Sequence, residues 1–274
     1  GEIAMTFGPQ GVVSSVDVSE DGRYLVSANW ERTAKIWDLE TNTTVQTLGY
    51  ETAGELGAHA GMIYSAKFAP DGKRVATAGR GGTIRIWERE SGEVIRVIEA
   101  HDGPIWALDY SQKGKWLASA GRDGRVAIWN AEDGILVAEH QAHDNGVRAV
   151  AFSNDSTRVA TGGEDRYARV WMFAAGRLQQ LAYIQGHSAP VVGVDFHPTE
   201  HRLVTGGEDG IAKIWNIAPR AEDGQDQPNS AQELLSLTGH RGGVTSATFS
   251  HDGTAILTSS RDGQLILWQA EAWK

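Results

Sequence analysis

ATGGEDRYARVW, residues 160–171, runs from one strand-like segment through a turn of small and charged residues into a second strand that ends on Trp171. Near copies stand at 76–87 (ATAGRGGTIRIW), 118–129 (ASAGRDGRVAIW), 204–215 (VTGGEDGIAKIW) and 257–268 (LTSSRDGQLILW). Aligned on the final aromatic, the copies place Trp37, Trp87, Trp129, Trp171, Trp215 and Trp268 at separations of 50, 42, 42, 44 and 53. Tryptophan is the largest side chain to accommodate, and its return at a fixed period means that one structural unit is repeated six times.

A period of about 42 residues is that of a four-stranded β-propeller blade. Each copy supplies the parts: an alternating strand such as VRAVAFS (147–153), a tight turn, a strand such as RVATGG (158–163), a second turn, a strand such as ARVWMF (168–173), and a variable fourth such as LQQLAYI (178–184). The turns explain themselves. EDGR (20–23), PDGK (70–73) and HDGT (251–254) put Asp-Gly at the first hairpin, and RDGR (122–125), EDGI (208–211) and RDGQ (261–264) put it at the second, where positive φ is required.

The chain resembles the WD-repeat family over nearly its whole length. The family's Gly-His element is matched by Gly186-His187 and Gly239-His240, and by Ala-His at 58–59, 100–101 and 142–143. Each of these histidines lies nine residues before the aromatic that closes the next strand: Phe68, Tyr110, Phe152, Phe196 and Phe249. Only Trp37-Asp38 spells the literal dipeptide. The resemblance implies hydrogen-bonded tetrads of His, Ser or Thr, Asp and Trp that hold each blade together: His101, Ser119, Asp123 and Trp129; His143, Thr161, Asp165 and Trp171; His187, Thr205, Asp209 and Trp215; His240, Thr258, Asp262 and Trp268. Repeat 2 keeps His59, Thr77 and Trp87 but has Gly81 for the Asp, and repeat 1 has Pro9 for the His and Glu31 for the Asp, beside Ser27 and Trp37. Burying such groups is tolerable only when each satisfies another. Repetition at blade spacing makes them structural and not Ser-His-Asp triads.

The expected fold is all-β, a single propeller over residues 1–274 with six blades of four antiparallel strands in a closed ring. In WD-repeat proteins the outer strand of a blade comes from the start of the next repeat, so EIAMTFG (2–8) is expected to complete the last blade and remove open sheet edges. The competing reading is a longer array with seven-bladed rings. An acidic, Pro-containing insertion at 218–232 reads as a solvated connector. The opening Gly1 suggests a processed product, an expression remnant or a domain cut from something longer.

A net charge of −10 opposes binding to nucleic acid or an anionic membrane. With no cysteine there is no disulfide, thiolate metal site or cysteine nucleophile. That suits a reducing compartment and equally permits an exported one; the cytoplasm is the expected location. No P-loop, dinucleotide glycine fingerprint or His-Glu-x-x-His motif occurs. Ser188 in GHSAP lacks the last glycine of a nucleophile elbow, and the pairs His140/His143 and His197/His201 are poor metal sites because His143 belongs to a tetrad and the second pair to a turn. No catalytic residue, metal or cofactor is expected.

What remains is the channel face, whose positions in WD-repeat proteins commonly hold partner contacts. The corresponding residues are Trp30, Met62, Tyr64, Arg80, Trp106, Arg122, Arg148, Glu164, Glu208 and Arg261. The large side chains fall in repeats 1 to 3, and the arginines suggest a basic sector set opposite Glu164 and Glu208. The expected function is a non-catalytic scaffold that binds a peptide or protein there, through an apolar anchor with some acidic character. The alternatives are a sensory or targeting module of a larger effector, or an enzyme with a channel site.

Overall fold

The computed structural model describes residues 6–8, 11–49, 59–218 and 229–269. Among these residues there are strands and turns and no helix, hence no helix long and apolar enough to cross a membrane. The chain divides into two compact units, Gly1–Ser119 with Asn130–Ile135, and Ala120–Trp129 with Leu136–Lys274.

In the first unit, β1 (Val13–Val18), β2 (Tyr24–Asn29), β3 (Ala34–Asp38) and β4 (Thr43–Leu48) form one sheet in that order. A second is built alike from β5 (Ile63–Phe68), β6 (Arg74–Gly79), β7 (Thr83–Glu88) and β8 (Val94–Glu99). The core lies between them: Val26, Ala28, Ala34, Ile36 and Leu48 meet Ile63, Ala66, Phe68, Val75 and Trp87. Small residues on one sheet make room for the large ones on the other, which is how close packing is reached across a flat contact. Asp17 fastens the same contact, accepting from the Phe68 N–H at 2.9 Å and from Lys67 at 3.0 Å.

A third sheet consists of β9 (Ile105–Tyr110), β10 (Trp116–Gly121), β11 (Arg125–Asn130) and β12 (Leu136–Gln141). In the second unit, β13 (Val147–Phe152), β14 (Arg158–Gly163), β15 (Tyr167–Ala174) and β16 (Arg177–Gln185) form the fourth sheet. The fifth is β17 (Val191–Phe196), β18 (Arg202–Gly207), β19 (Ile211–Asn216) and β21 (Gln232–Thr238). The sixth is β22 (Val244–Phe249), β23 (Ala255–Ser260) and β24 (Leu265–Gln269), three strands among the described residues. Val191, Val194, Phe196, Leu203 and Trp215 pack on the fourth sheet, and Val244, Ala247 and Ile256 on the fifth.

The fold is therefore all-β and six-bladed. The offset read from the sequence holds, since β8 lies just ahead of His101 in the chain and completes the blade of β5 to β7. The expected outer strand at 2–8 falls largely outside the described residues, although Phe7 stacks on Trp37 with ring centroids 5.2 Å apart. The insertion at 218–232 departs from its reading as a solvated connector. Its end forms β20 (Asn229–Ser230), which pairs in parallel with Ala182 and Tyr183 of β16 and gives the fourth sheet a fifth strand. Residues 219–228 lie outside the described set.

Exposure separates the terminal blades from the rest. Val16 and Val18 of β1 are 58% and 49% exposed, and Leu265 and Leu267 of β24 are 70% and 59% exposed, whereas the corresponding Ala66, Phe68, Ile84 and Ile86 of blade 2 are buried.

Candidate functional site

The tetrads are built on the second turn and the two strands around it. In blade 4, Trp171 Nε1 donates to Thr161 Oγ1 at 3.0 Å, and His143 bonds Thr161 through Nε2 at 2.9 Å and Asp165 through Nδ1 at 2.8 Å. These partners fix the tautomer. The Asp165 carboxylate can only accept, so Nδ1 carries the ring hydrogen, and Nε2 accepts the O–H of Thr161, which itself accepts from the indole. Blade 5 repeats the chain with His187, Thr205 and Trp215 at 2.7 and 2.8 Å and Asp209 at 3.0 Å; blade 6 does so with His240, Thr258 and Trp268 at 2.7 and 2.9 Å and Asp262 at 3.1 Å. In blade 3, His101 meets Ser119 at 2.8 Å, and Asp123 accepts from the N–H and guanidinium of Arg125 at 3.0 and 3.1 Å.

Electrostatics follow from burial. Desolvation lowers the pKa of His143 and His187 against the pull of their aspartates, so both rings are neutral. Burial would raise the Asp165 carboxyl, but bonds from His143 and Arg169 outweigh it and hold it down at about 2. Asp262 also lies at about 2, chiefly through the Arg241 N–H. The hydroxyls of Thr161, Thr205 and Thr258 are fully buried, each with an indole donating into it. None is placed to attack a substrate.

The outlying blades show what the pattern leaves unmet. In blade 1, Trp37 donates to Ser27 at 2.9 Å, while Glu31 contributes only its N–H, to the Asn29 side chain at 2.9 Å; Pro9 lies outside the described residues. In blade 2, His59 and Trp87 both bond Thr77 at 2.7 Å, and Gly81 offers no carboxylate. A cation two residues before the Trp escaped the sequence reading, although Lys35, Arg85, Arg169 and Lys213 stand in plain sight in AKIW, IRIW, ARVW and AKIW. Arg169 binds Asp165 at 2.8 Å, and Lys213 binds Glu233 at 2.7 Å.

The histidine pairs considered for metals serve other ends. His140 stacks on Trp171 at 4.7 Å, and His197 stacks on Phe249 at 5.0 Å while Nδ1 accepts the N–H groups of Thr199 and Glu200.

The channel-face positions owe their direction to a bulge. The register of the first strand pair slips between Val13 and Ser15, Ile63 and Ser65, Val147 and Ala149, Val191 and Gly193, and Val244 and Ser246. The residue skipped in each case, Tyr64 and Arg148 among them, is turned out of the ladder. In the first unit, Tyr64 donates to the Met62 sulfur at 3.8 Å, and the exposed Arg80 folds its methylenes over Gly61 while its N–H bonds the Met62 carbonyl at 2.9 Å. Trp30 is 48% exposed, and Trp106 is half-buried.

In the second unit, Arg122 is exposed. Arg148 lies 3.4 Å from Glu164 and 3.9 Å from Glu208, and Arg261 also pairs with Glu208. Acid and base thus alternate along Glu164, Arg148, Glu208 and Arg261. In place of a basic sector set opposite the glutamates, Arg148 and Arg261 are interleaved with them, because opposite charges within a blade and one blade apart gain by pairing.

The family model described as "WD domain, G-beta repeat" matches six segments: 1–38, 50–88, 92–130, 134–172, 178–216 and 231–269. The chain belongs to the WD40 family. Each match from the second onward opens ahead of its repeat's histidine and ends just past its Trp, so the matches overlie the blades with the offset described above. Among curated WD40 relatives, the small ribosomal subunit protein RACK1y of Oryza sativa subsp. japonica is 30% identical over 95 residues, 34% of this chain and 26% of that protein. The guanine nucleotide-binding protein subunit beta of Nicotiana plumbaginifolia is 32% identical over 92 residues, 33% of this chain and 22% of its own. The LST8 homolog of Drosophila melanogaster is 32% identical over 78 residues, 28% of this chain and 25% of its own. The matched stretches span about a quarter of these relatives' lengths.

Proposed function

We propose that this WD40 chain is a non-catalytic protein-interaction module that takes a peptide or protein partner on its channel-face positions. In the first unit Trp30, Met62, Tyr64, Arg80 and Trp106 form the anchor. The observation that carries this reading is Trp30, a large apolar side chain 48% exposed on the rim, in a unit where Tyr64 and Met62 are aimed outward beside the exposed Arg80. Aromatic side chains and arginine dominate binding energy because they desolvate large areas at small entropic cost. In the second unit Arg148, Glu164, Glu208 and Arg261 are already paired, so they serve specificity more than affinity, with Arg122 exposed for an acidic group. Two of the relatives carry names that describe subunits of assemblies, a ribosomal subunit protein and a nucleotide-binding protein's beta subunit, and that agrees with a binding role.

The test is capture by the intact chain. Trp30→Ala with Tyr64→Ala is expected to weaken a captured partner by about 2 kcal/mol or more, roughly thirtyfold in Kd, while the melting temperature stays within a few degrees of the parent. Val45→Ser, at a 47% exposed position on β4, is expected to leave capture intact. Binding indifferent to the aromatic pair would remove this reading.

A further inference from the structure

Blade 2 contains a tetrad without its acid and keeps every group that the acid would serve. Blade 4 supplies the comparison within the same molecule. There the Asp165 carboxylate takes the His143 Nδ1–H at 2.8 Å, the Arg169 guanidinium at 2.8 Å and the Tyr167 N–H at 3.2 Å. The corresponding residues in blade 2 are Gly81, His59, Arg85 and Thr83. His59 is 2% exposed and Arg85 8% exposed. Thr77 accepts from Trp87 and bonds His59 Nε2; with its proton turned to Nε2, as in blade 4, the His59 hydrogen sits on Nδ1. That Nδ1 and the Nε of Arg85 are buried and meet no hydrogen-bond partner among the described residues.

Among the described residues, Arg85 Nη1 donates to the hydroxyl of Thr83. Burial lowers the Arg85 pKa, and Glu99, opposite Thr83 in the ladder, opposes that from a distance without an ion pair among the described residues. Gly81 and Ala60 are both exposed, while the two nitrogens are buried, so the site is covered at its donors. It is also narrow: a Cβ at Gly81 would lie 3.1 Å from the Ala60 Cβ. Two buried nitrogens, one of them on a guanidinium, thus lack a hydrogen-bond partner among the described residues in the blade where Gly81 removes the acid.

We propose that blade 2 binds a carboxylate from outside the chain, held by Arg85 and His59 in the place that Asp165 occupies in blade 4. A charged guanidinium and a fixed imidazole donor recognise the two oxygens of a carboxylate by geometry as well as by charge. Burial first, and Arg85 second, lower the His59 pKa to about 3, so the ring stays a neutral donor over the ordinary pH range. The ligand is a free small carboxylate or the acidic side chain of a partner.

The test follows the imidazole ¹⁵N resonances of His59 in the full chain during titration with sodium formate, with His143 as internal reference. A saturable shift at His59 and none at His143 is expected. Arg85→Met should weaken it at least tenfold, and Gly81→Asp, paired with Ala60→Gly to relieve the close contact, should abolish it by supplying the acid in cis. N-acetyl-aspartate N-methylamide, with its asparagine counterpart as control, separates the two sources: a shift with the aspartyl compound assigns the slot to a side chain, and a shift with formate alone assigns it to a free anion. The proposal is overturned by no saturable shift in the parent or by an equal shift in the Gly81→Asp chain.

Discussion

Asp165 shows how one side chain holds two strands and a loop together. It takes His143 from the segment before β13 and Arg169 from β15, and each partner loses a hydrogen-bonded carboxylate if Asp165 goes. Asp165→Ala should therefore lower the unfolding free energy by about 1–3 kcal/mol, the usual result of orphaning buried donors, with the midpoint of urea unfolding as the measurement. An unchanged midpoint would mean that the tetrad is ornamental. At this scale the sequence was readable wherever spacing repeats: His to Thr at 18 residues, His to Asp at 22 and Thr to Trp at 10 are the separations the bonds span. The cation two before the Trp repeats as faithfully yet was passed over, because a basic residue in a strand reads as solvent-facing until its neighbours are known. The pairing of Arg148 is legible only in part for a related reason: Glu164 lies in its own blade, but Glu208 becomes its partner only when the next blade stands beside it.

Turns set the geometry of each element. Five residues before every tetrad Trp the backbone is left-handed, at Arg32, Gly82, Gly124, Arg166, Gly210 and Gly263, with φ between 68° and 82°. Glycine holds four of the six positions because a Cβ there costs about 1–2 kcal/mol. The surroundings then decide the rest. At Gly263 an added Cβ would meet nothing within 4 Å, whereas at Gly82 it would stand 2.3 Å from the His101 carbonyl oxygen. Gly263→Ala should thus cost only the backbone term, about 1–2 kcal/mol, and Gly82→Ala at least twice as much because the chain leading into β9 must also move. Chemical denaturation of the two variants side by side checks the ratio; equal losses would show that the close approach in blade 2 is relaxed in solution. Asp-Gly turns made these hairpins legible in advance. The bulge that aims Tyr64 and Arg148 outward was not, since a one-residue slip leaves alternation nearly intact.

For the whole molecule the period alone revealed six blades, because each sheet must cover its neighbour's apolar face and only a repeated unit does so at fixed spacing. The strand at Asn229–Ser230 escaped notice, as two polar residues carry no pattern. Summed over blades, the tetrads give the protein a pH profile. His59, His143 and His187 have pKa values lowered from 6.5, chiefly by burial. The unfolded chain takes up protons that these rings refuse when folded, so their contribution is complete above pH 6.5 and declines as pH falls below it. Each proton taken up differentially steepens that decline by up to about 1.4 kcal/mol per pH unit. The aspartates act next. Asp165 and Asp262, held at about 2 against an ordinary 3.8, keep their contribution above pH 4 and lose it as pH falls toward 2. The melting temperature is therefore expected to be level above pH 7, to decline from about pH 6.5, and to drop again below pH 4. Loss of net negative charge works the other way between pH 7 and the isoelectric point near 5.4, by relieving self-repulsion. His143→Gln separates the two effects: it should flatten the upper step by roughly one proton's worth of slope and leave the lower step in place. An upper step of unchanged slope would assign it to surface charge and not to the buried histidines.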